Sequence, residues 1–146
     1  MITLNKIKDI LNTIANKHPQ INHFGFGEIE NVNTIKEAQG NKFPMLWIVP
    51  QQAILDENVI TYRLRFLVFD QDTASDNYRT DILSSTLLIL GDVVRNLKYV
   101  SNDYNVIGKA SATPFSQDFA DYCTGWYSDV DIETDINNNP CDLADE

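Results

Sequence analysis

A row of carboxylates near the end of the chain is the feature most capable of chemistry. The segment GWYSDVDIETDI, residues 125–136, alternates between largely apolar and acidic side chains. Successive side chains of a β-strand point to opposite faces of its sheet. If this segment is a strand, one face carries Trp126, Val130, Ile132 and Ile136. The other face carries the acidic row, defined as Asp129, Asp131, Glu133 and Asp135.

Such a row can hold a cation, serve as a general acid and base, or form a charged wall. Along one strand face, carboxylates at i and i+2 lie roughly 6.5–7 Å apart, whereas a hard cation needs oxygens about 2.0–2.6 Å from one centre. Two neighbours could share an ion, but four in a line cannot. A two-metal site needs carboxylates from further strands, for which Asp70 and Asp72 are available. The sequence DVDIETD also lacks the glycine and the loop of an EF-hand. We predict neither a metal nor a cofactor.

Two arginines offer the same carboxylates a non-catalytic role. Arg63 and Arg65 share the polar face of the segment 58–70, at the same i, i+2 spacing as the acidic row. If that segment neighbours the acidic strand, cross-strand ion pairs form between them. If it does not, the acidic row is a solvated face or the wall of a lumen.

The other reactive residue types give no catalytic signature. His18 and His23 have no nearby cysteine ligand, so their spacing does not indicate a zinc site. Cys123 lies among acidic and aromatic residues, which disfavours a thiolate nucleophile. Five aromatic residues could instead form a partner-binding patch or pack into the core: Phe115, Phe119, Tyr122, Trp126 and Tyr127. We therefore expect a protein that is not an enzyme.

The distribution of charge excludes binding to nucleic acid by bulk electrostatics. The net charge is −10, with +1 in residues 1–65 and −11 in residues 66–146. No lysine or arginine occurs from Asp118 to the end. Binding to phosphates needs clustered cations, so this half of the chain should repel DNA. No apolar run approaches the ~18 residues of a membrane span.

The periodicity of apolar residues predicts an α+β fold. Helices are predicted from Leu4 to Lys17 or His18 and over residues 76–98, and strands over 21–31, 43–50, 58–70 and 125–136, with a weak strand or hairpin over 102–115. Helices and strands do not alternate regularly, which favours a mainly antiparallel sheet of four or five strands with both amphipathic helices on one face. We expect one domain over residues 1–136 and an acidic C-terminal arm over 137–146.

Several segments, in order, resemble a family of small phage proteins. They are FGFGEIENVN from Phe24, FPMLWIVPQQAIL, YRLRFLVFDQDTASDN, GWYSDVDIET from Gly125, and a late NPC. Together they cover about residues 24–141. In this order and spacing the chain resembles the small neck and tail-completion proteins of tailed bacteriophages, and most closely those of crAss-like and other gut phages that infect Bacteroidetes.

This resemblance implies a structural role in the virion. It implies a tail-terminator-like or connector-like α+β fold, assembled as a six- or twelve-fold ring between portal and tail, with neighbouring neck, portal or tail proteins as partners. DNA would pass through the ring without specific binding, and the acidic row would be its wall. Two alternatives stay open: a divalent-cation-binding module or metal-dependent enzyme that uses residues 129–135, and a host-binding protein that uses the aromatic patch.

Overall fold

A computed structural model describes residues 2–28, 43–71, 76–117 and 123–136. Among these residues the elements follow in this order: α1 (Leu4–Lys17), β1 (His23–Phe26), β2 (Met45–Leu55), β3 (Val59–Gln71), α2 (Asp76–Tyr99), β4 (Asn105–Ile107), β5 (Ala112–Gln117) and β6 (Cys123–Asp135). The chain is α+β, as the sequence predicts. Neither described helix is long and apolar enough to cross a membrane.

The sheet differs from the predicted one in its size and in the direction of one strand. It has six strands in the order β1-β2-β3-β6, with β4 and β5 both paired to β6. β1 runs parallel to β2, whereas the other pairs are antiparallel. The sheet is therefore mixed. The weak segment 102–115 accounts for the additional strand, because it contains β4 and the start of β5, which lie one after the other along the same edge of β6.

Both described helices pack on one face of this sheet. The main core joins the apolar stripes of α1 and α2 to the inward residues of the strands, among them Leu46, Ile48, Leu64, Phe66, Val68, Val130 and Ile132. On β3 and β6 these are the even-numbered positions, because side chains alternate along each strand. The odd-numbered positions lie on the opposite side, here called the far face.

Helix α1 begins and ends where local chemistry requires. The Thr3 hydroxyl accepts a hydrogen bond from the Lys6 amide at 3.2 Å, which satisfies a donor that the first turn leaves free. Ile7, Leu11 and Ile14 form the buried stripe. The helix stops before Pro19, which disfavours helical backbone in the residue ahead of it.

β2 continues five residues past the predicted end at Pro50. Proline has no N–H to donate, so the sequence indicates a strand end there. In the structure Pro50 pairs with Leu64 of β3, and the register shifts between Pro50 and Gln52. β1 extends only to Phe26, opposite Ile48, so the outer edge at Pro50 has no partner among the described strands. A proline is tolerated at such an edge, and the β2–β3 hairpin extends to Leu55.

The far face is divided into an apolar part and a charged part. The apolar part is a second cluster of buried residues: Met45, Trp47, Leu67, Phe69 and Cys123. Two glycines make room within it. A Cβ at Gly25 would lie 2.0 Å from the Trp47 ring, and a Cβ at Gly125 would lie 1.9 Å from the Val68 carbonyl oxygen. At both positions only glycine fits without displacement of its neighbours.

We predict that Gly125→Ala destabilises the fold and that Gly91→Ala does not. The new methyl group at position 125 meets backbone atoms of Val68 and Phe69, which cannot rotate away, and overpacking of this kind costs about 1–3 kcal/mol. At Gly91 in α2 the nearest atom to an added Cβ is Arg95 Nη2 at 3.7 Å. That substitution should add about 0.5–1 kcal/mol, because alanine favours helix over glycine.

Urea unfolding of the two variants beside the wild type measures both effects. Equal free energies of unfolding for Gly125→Ala and the wild type would contradict the close approach of β3 and β6 at this position.

Candidate functional site: the charged part of the far face

The acidic row lies on β6, directly beside the two arginines of β3. The two strands pair in register over thirteen residues, from Val59 opposite Asp135 to Gln71 opposite Cys123. Arg63 is therefore opposite Asp131, and Arg65 is opposite Asp129. All of these positions are odd-numbered and belong to the far face, away from the two described helices.

Each arginine binds its carboxylate through two hydrogen bonds. Arg63 donates from Nε to Asp131 Oδ1 at 2.9 Å and from Nη2 to Oδ2 at 3.3 Å. Arg65 donates in the same way to Asp129, at 2.8 and 3.2 Å. The planar guanidinium matches a carboxylate in this bidentate geometry. The hydrogen bond and the charge of Asp131 raise the pKa of Arg63, and the bond to Asp129 raises the pKa of Arg65. Both guanidinium groups are therefore charged at any physiological pH.

An aromatic ring supports the second of these pairs. The Arg65 guanidinium carbon lies 4.7 Å from the centre of the Tyr127 ring, a cation–π geometry. Tyr127 in turn packs against Phe115, with ring centroids 6.2 Å apart. The boundary between the charged and apolar parts of the far face thus consists of side chains packed against one another.

The other half of the acidic row has no cationic partner among the described residues. Glu133 lies opposite Thr61 and Asn105, and Asp135 lies opposite Val59. Two further exposed carboxylates, Asp56 and Glu57, lie in the turn between β2 and β3, beside the same end of the sheet. Together Asp56, Glu57, Glu133 and Asp135 define what we call the acidic end.

Sequence reasoning missed two members of the acidic end. It treated the four carboxylates of β6 as one set, whereas the structure neutralises Asp129 and Asp131 and leaves the negative charge at the hairpin. Asp56 and Glu57 lie between two segments that read as strands, β2 and β3. An acidic turn between two neighbouring strands was the sequence feature that could have identified them.

This geometry offers little to a divalent cation. Both oxygens of Asp129 and of Asp131 accept from arginine, and an ion would have to displace those bonds. Within the described part of the chain, no group of three or more His, Cys, Asp or Glu side chains is placed to hold a metal. Asp70, one of the two additional carboxylates that the sequence offers, lies opposite Thr124 at the other end of the strand pair. Asp72 is outside the described residues.

Both histidines make contacts within the fold. His18 Nδ1 accepts from the Gln20 amide at 3.1 Å, so Nε2 carries the proton and donates to Asp92 at 3.1 Å. Arg95 donates to the other Asp92 oxygen at 2.9 Å. The bonds from His18 and then Arg95 lower the pKa of Asp92. This network ties the end of α1 to α2.

His23 lies beside Trp47, with ring centroids 6.4 Å apart.

The five aromatic residues considered as a partner patch do not share one surface. Trp126 is on the helix face, where its Nε1 donates to the Leu83 carbonyl at 2.7 Å. Phe115 and Tyr127 pack against the apolar cluster of the far face. Phe119 and Tyr122 lie outside the described residues. The described members of the set therefore serve packing.

No protein-family model matches the chain, and no curated protein matches it either. The geometry of the charged face is therefore the structural observation from which a function can be argued.

We predict that Asp70→Asn stabilises the protein at neutral pH. Burial raises the pKa of Asp70 above its usual value of 3.8, although the amide of Gln71 partly offsets this. A raised pKa means that the folded state disfavours the ionised carboxylate. The resulting loss of stability is absent below the unfolded pKa and is complete once the pH has risen through the folded pKa. The increase in the free energy of unfolding caused by Asp70→Asn should therefore be present at pH 7 and small at pH 3.5.

Asp56→Asn is the matched control. Asp56 is exposed, and its carboxylate accepts from the next amide at 2.8 Å, as the carboxylate of Asp70 does. Urea unfolding of both variants and the wild type at the two pH values tests the effect. An equal change for Asp56→Asn, or a gain for Asp70→Asn that does not shrink at pH 3.5, would contradict burial as the cause.

Proposed function

We propose that the protein is a structural ring subunit in the neck of a tailed phage, between portal and tail, where it forms part of the channel through which DNA passes. The observation that supports this most is the distribution of charge on the far face. Inner carboxylates are neutralised by arginines, and unpaired carboxylates lie together at the acidic end.

An acidic end is suited to a channel that DNA crosses without stopping. Phosphates are repelled by carboxylates and attracted by clustered cations. At physiological salt this repulsion acts over about 8 Å, so only carboxylates near the lumen contribute. In the proposed ring, Glu133 and Asp135 face the lumen from β6, and Asp56 and Glu57 face it from the hairpin turn.

The two arginine pairs stabilise the wall without attracting DNA. An unpaired arginine at a lumen would bind a phosphate, because guanidinium matches phosphate in the same bidentate way as it matches carboxylate. Arg63 and Arg65 each have their Nε and Nη2 edge engaged by a carboxylate, Asp131 and Asp129 respectively, so the positive charge of each guanidinium is neutralised. Among its described residues, the charged part of the far face therefore carries no arginine without a carboxylate partner.

The proposal contains no catalytic step and no cofactor. Its partners are further copies of this chain and the neighbouring neck, portal or tail proteins that the resemblance implies. The virion is the proposed location, reached after assembly in the host cell. The role is also consistent with the fold, because a ring subunit needs a packed core and exposed charged faces rather than a reactive site.

Native mass spectrometry of the purified full-length chain tests the proposal. We expect six- or twelve-fold species, and we expect the same masses when millimolar Mg²⁺ or Ca²⁺ is present. Rings without a stoichiometric ion support the structural role.

Two results would count against it. A monomer that carries one ion per chain would favour the cation-binding alternative that uses residues 129–135. A bare monomer at every concentration would contradict self-assembly into a ring and would favour a binding protein of another kind.

A further inference from the structure

A groove on the helix side of the sheet, opposite the far face, is lined by positively charged side chains. It lies between α2 and the segment that links β4 to β5, and its volume is about 590 Å³. Its apolar lining comes from Leu87, Leu90, Val94, Ala110 and Ala112. Gly91 contributes no side chain and leaves the middle of the groove open on the helix side. We call this feature the α2 groove.

Three cations line the α2 groove, and none of its described lining residues is acidic. They are Arg95, Lys98 and Lys109. The whole chain has 11 lysines and arginines against 21 aspartates and glutamates, so such a concentration is unexpected. Arg95 donates to Asp92, whereas Lys98 and Lys109 make no ion pair with a described residue. The groove is therefore apolar at its floor and positive at its rim.

A buried hydroxyl at the floor also lacks a partner. Ser128 of β6 is 2% exposed, and its Oγ makes no hydrogen bond to the described part of the chain. Buried polar groups nearly always have a hydrogen-bond partner. Ser128 lines the groove, but its Oγ is closed off from the groove, so a ligand would reach this hydroxyl only after a neighbouring side chain moved. The three cations and the apolar floor together indicate an anionic ligand with an apolar part.

The sequence contains a segment with that chemistry. Residues 137–146, NNNPCDLADE, follow Ile136 and carry Asp142, Asp145, Glu146 and Leu143, with no cation. The leucine suits an apolar floor, and the carboxylates suit the three cations. We propose that the α2 groove binds the segment 137–146 of a second copy of this chain.

The proposed ring, rather than distance, selects a second copy over the same chain. Ile136 lies at the hairpin end of the sheet, where its amide donates to Asn58. Ser128 is eight residues back along β6, roughly 26 Å away. Ten extended residues reach about 33–36 Å, and β4 occupies the edge of β6 between the two points. The Lys98 end of the groove is nearer to Ile136, because the Thr134 hydroxyl donates to the Asp103 carbonyl and the Tyr104 hydroxyl donates to the Leu97 carbonyl. The cross-linking test therefore has to distinguish a contact within one chain from a contact between copies.

This contact rests on the proposed ring and specifies how its subunits join. A segment from one copy in a groove of the next is a head-to-tail contact, which closes into a ring when the rotation allows. It also brings an acidic segment of one subunit to a basic surface of its neighbour. Association of copies that each carry a net charge of −10 then has a local electrostatic attraction.

Disulfide trapping in the full-length chain tests the contact, because the segment contains Cys141 and the rim contains the exposed Ala110. Ala110→Cys, treated with oxidised glutathione, should give a ladder of covalent oligomers on a non-reducing gel. The matched control is Ala53→Cys, an exposed position on the β2–β3 hairpin, which should give no ladder. Addition of Lys98→Gln and Lys109→Gln to Ala110→Cys should reduce cross-linking by about tenfold.

A charge-matched control separates the groove from general electrostatics. Lys6→Gln with Lys17→Gln removes the same charge, including the lysine in the last turn of α1, and should leave the ladder unchanged. A cross-linked monomer would show that the segment binds within its own chain and would overturn the proposal, as would equal ladders for positions 110 and 53. Rings by mass spectrometry without a ladder would refute this contact alone, and a ladder without rings would refute the ring alone.

Discussion

The antiparallel pairing of β3 with β6 is the constraint on which the rest of the structure depends. These thirteen-residue strands are the central strand of the sheet and one of its neighbours, and every other described strand pairs with one of them or with β2. Their register places Phe66 and Val130 beneath the helices and Arg63 and Asp131 on the far face. A slip of one residue would move every side chain of one strand to the wrong face. The two arginine–aspartate pairs oppose such a slip, because each guanidinium is opposite its own carboxylate.

The same pairing gives the molecule two surfaces of opposite character. The far face ends in the unpaired carboxylates of the acidic end. The helix side carries the α2 groove, whose position is fixed by a hydrogen bond from the Tyr104 hydroxyl to the Leu97 carbonyl at 2.5 Å. This bond joins the end of α2 to the start of β4, and burial raises the pKa of Tyr104 to about 12, so the hydroxyl keeps its proton. A subunit with charge separated in this way suits directional contacts between copies.

Sequence alone predicted what depends on local periodicity. The alternation of Ile60, Tyr62, Leu64, Phe66 and Val68 with polar residues identified β3 and its faces, and the spacing of Leu4, Ile7 and Leu11 identified α1. It also showed that Arg63 and Arg65 match the acidic row in spacing. It could not show that β1 runs parallel to β2, because strand direction depends on where a connection leads. The sequence predicted that β2 ends at Pro50, because a proline disrupts a central strand. The structure tolerates Pro50 within β2 because β1 is short and leaves that edge of β2 unpaired at this point.

The candidate sites required the tertiary structure for the same reason. Arg95 and Lys98 near the end of a helix indicated a favourable interaction with its dipole, and Lys109 had no apparent role. Their convergence beside Ser128 follows from the pairing of β5 with β6, which brings Ala112 opposite Ser128. Likewise, Asp56 and Glu57 belong with Glu133 and Asp135 only because the β2–β3 hairpin lies beside the end of β6. Spacing in the sequence predicts which residues share a strand face, and strand order decides which of those faces meet.

Cryo-electron microscopy of the assembled full-length protein would test the central claim most directly. The account predicts a closed ring in which Glu133 and Asp135 face the lumen, α1 and α2 lie on the outside, and density occupies the α2 groove. A ring whose lumen is lined by α1 or α2, with the acidic end turned outward, would contradict it.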